Sequence, residues 1–191
     1  AVGETYTRSV SVMLPVGVSG DFFFFVRTDA FDGVNEFAFD TNNDDYDATA
    51  TAVQLTPPPD LEVTSVDVIE GAAQAGRAAT VRYSVENFGA TRTPNTSWTD
   101  SIYLSADDRF DAGTDTLLRN VGVSFPATQA NNYVGGLDVG GQYTREVSVT
   151  IPNGLSGDFH VFVVADRPDN VFELDNGNNV LDNGDTFIGS T

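Results

Sequence analysis

The chain of 191 residues has no cysteine and no lysine, and it holds one histidine, one tryptophan and one methionine. Without cysteine there is no disulfide framework, thiolate metal site or thiol nucleophile. Without lysine there is no Schiff-base chemistry and no Lys–Asn crosslink; all nine basic residues are arginine. Positive charge is scarce: 28 acidic side chains leave a net charge of −19. Such a chain repels nucleic acid and anionic membranes and attracts divalent cations. No apolar run approaches the ~18 residues of a spanning helix, so no membrane insertion is expected. Any export signal would lie outside these residues. Helical periodicity is also missing, and no glycine loop precedes a helix, so phosphate binding of the nucleotide-loop kind is unsupported.

What is present is a core and a repeat. Apolar residues make up 40% of the chain, enough to pack an interior despite the charge. Residues 1–29 and 138–166 align without a gap at an offset of 137, with 17 of 29 positions identical. The match continues more loosely: Asp32 with Asp169, Val34 with Val171, Glu36 with Glu173, and Asn42–Asn43 with Asn178–Asn179. Self-similarity at a fixed period is the signature of a repeat architecture. The extended stretch Thr56-Pro57-Pro58-Pro59-Asp60 marks the boundary. Residues 1–56 therefore read as the C-terminal half of one repeat, 57–60 as a proline-rich linker, and 61–191 as a complete repeat.

The complete repeat shows seven expected strands: 61–69, 80–86, 97–105, 116–124, 143–151, 158–165 and 179–188. Val81, Tyr83 and Val85 alternate with Arg82, Ser84 and Glu86, the period of a half-buried strand. Residues 158–165 are apolar on both faces. Gly, Pro, Asn and Asp clusters separate the strands. Seven short strands in ~130 residues predict an all-β fold, an immunoglobulin-like β-sandwich. Asp100 shares the parity of Trp98, Ile102 and Leu104, so it is either placed by a bulge or buried with partners. The first 56 residues supply only about three strands (6–14, 21–27 and 47–55), too few to stand alone. Either truncation of a repeat or strand addition between chains accounts for the deficit.

The order of several motifs carries a resemblance. They are Pro59-Asp60-Leu61, Val85-Glu86-Asn87-Phe88-Gly89, Ser97 through Ser105 with Trp98 and Asp100, Phe110 through Leu118, Tyr143-Thr144-Arg145 and Leu155-Ser156-Gly157-Asp158. Residues 59–180 resemble a CARDB repeat, the cell adhesion related domain found in bacteria. The resemblance implies an immunoglobulin-like fold and tandem copies in large bacterial or archaeal surface proteins. The absence of lysine and the insert at 124–141 depart from that pattern.

Acidic loops are the one constellation with chemical content. Asp107, Asp108, Asp111 and Asp115 place four carboxylates within nine residues. Asp166, Asp169, Glu173, Asp175 and Asn179 form a second set, matched in the first half by Asp29, Asp32, Glu36, Asp40 and Asn43. Calcium takes six to eight oxygens of these kinds. The spacing is not that of an EF-hand, and Asp and Asn also fill turns for purely local reasons. The expectation is calcium, bound weakly at roughly 0.1–1 mM as in extracellular modules. If successive strands alternate direction, acidic loops lie at both ends of a unit, and calcium bridging a junction would stiffen an array.

No enzymatic pattern stands out. His160 lies within a strand and is replaced by Phe23 in the matching half, so a packed strand histidine is expected and no catalytic residue is assigned. Trp98 is expected in the core. Asn95-Thr96-Ser97 is a glycosylation sequon. The chain thus reads as a non-catalytic structural or adhesive repeat of an extracellular or cell-surface fibre protein, its partners being neighbouring repeats and an unidentified surface or glycan ligand. The alternative is an accessory or carbohydrate-binding module of a secreted hydrolase.

Overall fold

The structure is a computed structural model that describes residues 3–15, 17–36, 42–69, 73–128 and 134–189. It divides into two compact units, Ala1–Thr56 and Pro57–Thr191.

Among the described residues the first unit holds four three-residue strands: β1 (Gly20–Phe22), β2 (Phe25–Arg27), β3 (Asp44–Tyr46) and β4 (Thr51–Val53). β1 pairs antiparallel with β4, and β2 with β3. Residues 6–14, expected as a strand, are assigned to none. The expected strand 21–27 is interrupted after Phe22, and the expected strand 47–55 holds only β4, which a turn separates from β3 before it; in that turn the Asp47 carboxylate accepts the Thr49 N–H at 2.9 Å. A β-pattern needs a neighbouring backbone to satisfy its N–H and C=O groups, and residues 6–14 have no ladder partner among the described residues.

The second unit contains β5 (Leu61–Val68), β6 (Ala73–Gln74), β7 (Ala78–Asn87), β8 (Ser97–Ser105), β9 (Thr116–Ser124), β10 (Gln142–Thr150), β11 (Gly157–Val164) and β12 (Val180–Gly189). One sheet has the order β10-β7-β5 and the other β6-β12-β11-β8-β9. Among the described residues all pairings of this unit are antiparallel except β6 with β12, which is parallel. β6, only two residues long, leaves no periodicity to read.

The two sheets pack face to face through one core. Val63, Val81, Tyr83, Val85, Val147 and Val149 from the first meet Trp98, Ile102, Leu104, Val161, Val163 and Ile188 from the second. This is the expected immunoglobulin-like sandwich, with alternation putting every second residue of β7 inside. β8 and β11 are central strands, and β11 is apolar on both faces because its outer face is covered as well. Tyr103, Phe162 and Val164 form a smaller cluster on the outer face, covered by Phe110. The Phe110 ring lies 5.0 Å from Tyr103 and 5.9 Å from Phe162, between centroids. Phe110→Ala is expected to cost about 2 kcal/mol, read as a lower urea midpoint with an unchanged slope.

Asn87 explains the Val85–Gly89 motif. It is fully buried and all four of its side-chain hydrogen-bonding positions are filled. Its Oδ1 accepts from the Asp60 and Gly89 N–H groups, and its Nδ2 donates to the Thr91 and Leu137 carbonyls, all at 2.9–3.1 Å. Gly89 sits against the incoming chain: a Cβ there would lie 2.4 Å from the Asp60 nitrogen. The knot fixes where β5 enters the sandwich.

The sequence match between residues 1–32 and 138–169 has a backbone counterpart. Asp29 and Asp166 share positive φ angles of 47° and 43°, and Asp32 and Asp169 share 51° and 57°. Such angles are uncommon for non-glycine residues. The Asp32 N–H donates to the Asp29 carbonyl as the Asp169 N–H donates to that of Asp166. The Asp29 carboxylate accepts the Val34 N–H, and that of Asp166 the Val171 N–H. The break between β1 and β2 falls where the β11–β12 ladder shifts register, between His160 and Phe162. The two stretches differ sharply in burial: Val12 is 64% exposed and its match Val149 3%, while Val26 is 63% exposed and its match Val163 is fully buried.

Candidate functional site

The two acidic loops lie at opposite ends of the sandwich. β11 runs antiparallel to β8, with His160 beside Ser105 and Val164 beside Ser101. The loop after β8 is thus at one end, and the loop between β11 and β12 is at the other. Asn178 donates to the Asp60 carboxylate at 2.9 Å, so the entry of the chain shares the second end.

In the loop after β8 most carboxylates hold their own backbone. The Asp107 Oδ1 accepts the Arg109 N–H at 3.0 Å. The Asp111 Oδ1 accepts the Gly113 N–H at 2.8 Å, and the Asp115 Oδ2 accepts the Asp111 N–H at 2.7 Å. Asp108 is exposed. The Asp107 and Asp111 contacts are Asx turns, the local role such residues commonly take, and Asp115 closes the loop back onto Asp111. The loop also delivers Phe110 to the outer cluster.

The loop between β11 and β12 is different. Asp166, Glu173 and Asn179 are all more than nine-tenths buried. The Asp166 Oδ2 accepts the Val171 N–H at 2.6 Å. Glu173 accepts the Leu61 N–H on Oε1 and the Asn179 amide on Oε2, the latter at 2.6 Å. Asp169 accepts from the Asn176 amide at 3.2 Å, and Asp175 accepts the Gly177 N–H at 2.8 Å. The Asp166 Oδ1 and the Asn179 Oδ1 are buried with no hydrogen-bond partner. Burial raises the Asp166 carboxyl, against the pull of the Val171 and Asn170 N–H groups. It pushes Glu173 up to about 7, opposed by its bonds from Asn179 and Leu61. A half-open cavity of about 320 Å³ brings Asp166, Asp169, Asn176 and Asn179 together. Of these, Asn176 was not singled out from sequence; its place in a run of turn residues gave no reason to separate it from its neighbours.

Asp100 is the buried, partnered carboxylate of the two readings its parity allowed. Its Oδ2 accepts the Tyr83 and Tyr143 hydroxyls at 2.8 and 2.9 Å, and its Oδ1 accepts the Asp166 N–H at 3.1 Å. Burial raises its pKa, and the hydrogen bonds from Tyr83, the Asp166 backbone and Tyr143 oppose that. Both tyrosines are themselves raised, by burial first and by the Asp100 charge second. The contacts join β7 and β10 of one sheet to β8 of the other and to the base of the acidic loop.

In the first unit, Asp29 accepts the Gly33 and Val34 N–H groups at 2.8 and 2.7 Å. The carbonyl of Asn43 accepts the Thr28 N–H at 2.9 Å. Asp32 is exposed. The Glu36 Oε2 is buried and without a partner, whereas both oxygens of its match Glu173 are bonded. Asp40 lies outside the described residues. Among the described residues no three carboxylate or histidine side chains converge as a metal-ligand group.

The remaining candidates are structural. His160 is half-buried, its Nδ1 2.9 Å from the Asp182 carboxylate and its ring against Phe162. Trp98 is buried, packed on Phe125 and Tyr143, with its indole N–H donating to the Tyr143 hydroxyl at 3.2 Å. It offers no exposed platform for a sugar. Among the described residues no helix is long and apolar enough to cross a membrane.

Comparison with known proteins places this sandwich. The CARDB family model matches residues 58–183. The crystal structure of the CARDB domain of a Pyrococcus furiosus protein, in complex with di-metal ions, is 20% identical with a TM-score of 0.46, covering 71% of this chain and 97% of that one. The solution structure of the same domain gives 20% identity and a TM-score of 0.46 over 70% of this chain and 97% of that one. A β-glucosidase from Listeria innocua in complex with glucose is 12% identical with a TM-score of 0.38 over 71% of this chain, which spans 16% of that enzyme. A search of curated proteins returned no match. The family is a non-catalytic, adhesion-type domain family. With the family model spanning most of its length and ending in the strand that closes the second sheet, the chain belongs to the CARDB family.

Proposed function

We propose that the chain is a structural and adhesive segment of an extracellular or cell-surface array, in which residues 1–56 are the second half of one repeat and 57–191 are the next. The observation that carries this reading is the recurrence at an offset of 137. Sequence, left-handed turn residues and loop hydrogen bonds recur together. The partner of residues 1–56 is then a first half-repeat equivalent to 57–137, from the same array or from another chain by strand addition. Glu36 supports this: its unpartnered Oε2 matches a glutamate that, in the second unit, receives the N–H of Leu61 in β5. The exposed Val12 and Val26 match residues that β7 and β8 cover.

In this reading the mechanism is mechanical. Stacked sandwiches joined at proline linkers transmit length, and calcium at the acidic ends damps bending by offsetting like charge. Scattering from a chain of two complete units tests it. An elongated particle that becomes more flexible in chelator is expected; a compact particle, unchanged by chelator, would count against the array.

A further inference from the structure

Of the three buried oxygens in the 57–191 unit that lack partners, on Asp166, Asn178 and Asn179, the first and third belong to residues that line one cavity. Asp166 opens the turn after β11, and Asn179 ends the short 3-10 helix that leads into β12. Both are more than nine-tenths buried, and in each the second polar atom is already bonded, Asp166 Oδ2 to the Val171 N–H and Asn179 Nδ2 to Glu173. While Glu173 is ionised the Asn179 amide is held in its orientation, since flipping it would break the 2.6 Å bond to Glu173. Each free atom is an acceptor, and one belongs to a carboxylate. Two acceptors on residues that line a shared cavity do not satisfy each other; a cation does. Asp169 and Asn176 line the same cavity.

We infer that the 57–191 unit binds one calcium ion in this cavity, with Asp166 Oδ1 and Asn179 Oδ1 as ligands and Asp169 and Asn176 supplying further oxygens. The donor set is hard oxygen, two carboxylates and two amides, with water completing the shell. Calcium accepts such a mixed, irregular set, whereas magnesium demands near-ideal octahedral geometry and dehydrates reluctantly. With two carboxylates the affinity falls in the weak range, roughly 0.1–1 mM. All four residues come from one unit, so this site differs from a calcium bridge between units, and either can fail without the other.

The test uses the full chain, stripped with chelator and titrated with calcium chloride to 10 mM while amide resonances and melting are followed. The site requires shifts concentrated at residues 165–171 and 176–180 and a melting temperature raised by about 5 °C. Asp169→Asn, which keeps a residue type tolerant of a left-handed backbone, is expected to weaken binding at least tenfold. Asp111→Asn, in the loop at the other end, leaves it unchanged, and magnesium at the same concentration gives no comparable shift. No calcium-dependent change at those amides, or wild-type affinity in Asp169→Asn, overturns the inference.

Discussion

Replacing Asp100 with alanine is expected to lower the unfolding free energy of the 57–191 unit by about 4 kcal/mol, measured by urea denaturation. Three buried donors lose their acceptor at once: the Tyr83 hydroxyl, the Tyr143 hydroxyl and the Asp166 N–H. Each orphaned donor costs roughly 1–3 kcal/mol, and a small cavity adds to that. Relief of the desolvated carboxylate works the other way, since its pKa is raised by burial, and it keeps the total below the simple sum. Asp100→Asn keeps the shape and one acceptor, and is expected to cost about 2 kcal/mol. Tyr83→Phe and Tyr143→Phe each remove one donor and leave the carboxylate two others, so each costs about 1 kcal/mol. If Asp100→Ala were as stable as wild type, the network would not be what joins the two sheets.

Glu173 gives the second large effect, in its dependence on pH. Burial raises its folded-state pKa from 4.5 to about 7. A carboxyl with a raised folded pKa holds a proton that the unfolded chain has already lost, so stability is highest below the unfolded value and falls as pH rises through the folded one. Between about pH 4.5 and 7 the calcium-free protein therefore loses stability. The shift corresponds to about 3 kcal/mol unscreened, reduced to ~2 kcal/mol by water around the loop. Asp100 and Asp166 are shifted in the same direction by burial. Glu173→Gln isolates the contribution. Its amide oxygen can still accept the Leu61 N–H, and its nitrogen can donate to the unpartnered Asn179 oxygen once that amide turns. In chelator at pH 8 the variant is expected to melt several degrees above wild type, with the advantage gone at pH 5. A pH-independent difference between the two proteins would contradict this assignment.

How much of this was legible in the sequence depended on distance along the chain. Ser97–Ser105 and Thr116–Ser124 are strands with the bounds their alternation implies. The double-sided apolar run at 158–165 is explained by the core between the sheets, which takes Val161 and Val163, and by Phe110, which covers Phe162 and Val164 on the outer face. Asp100 stayed undecided from sequence because its partners sit on β7, β10 and the loop after β11, none adjacent in the chain. The acidic loops read as a general excess of oxygen ligands. Only geometry separates Asp111 and Asp115, which hold their own turn, from Asp166 and Asn179, which each keep a buried oxygen free. Residues 6–14 carry the alternation of β10, yet they lie outside any ladder, because pattern specifies a face and only a partner makes a strand.

That partner is the central claim, and one rearranged chain tests it most directly. Residues 57–137 placed ahead of residues 1–56 join a first half-repeat to the second half that follows at the same offset. The account predicts one cooperative melting transition, loss of the dye binding expected of the exposed Phe22–Val26 run, and slow amide exchange at residues 5–13 and 20–27. A chain that binds dye, exchanges those amides rapidly and melts without cooperativity would show that residues 1–56 are not the second half of such a sandwich.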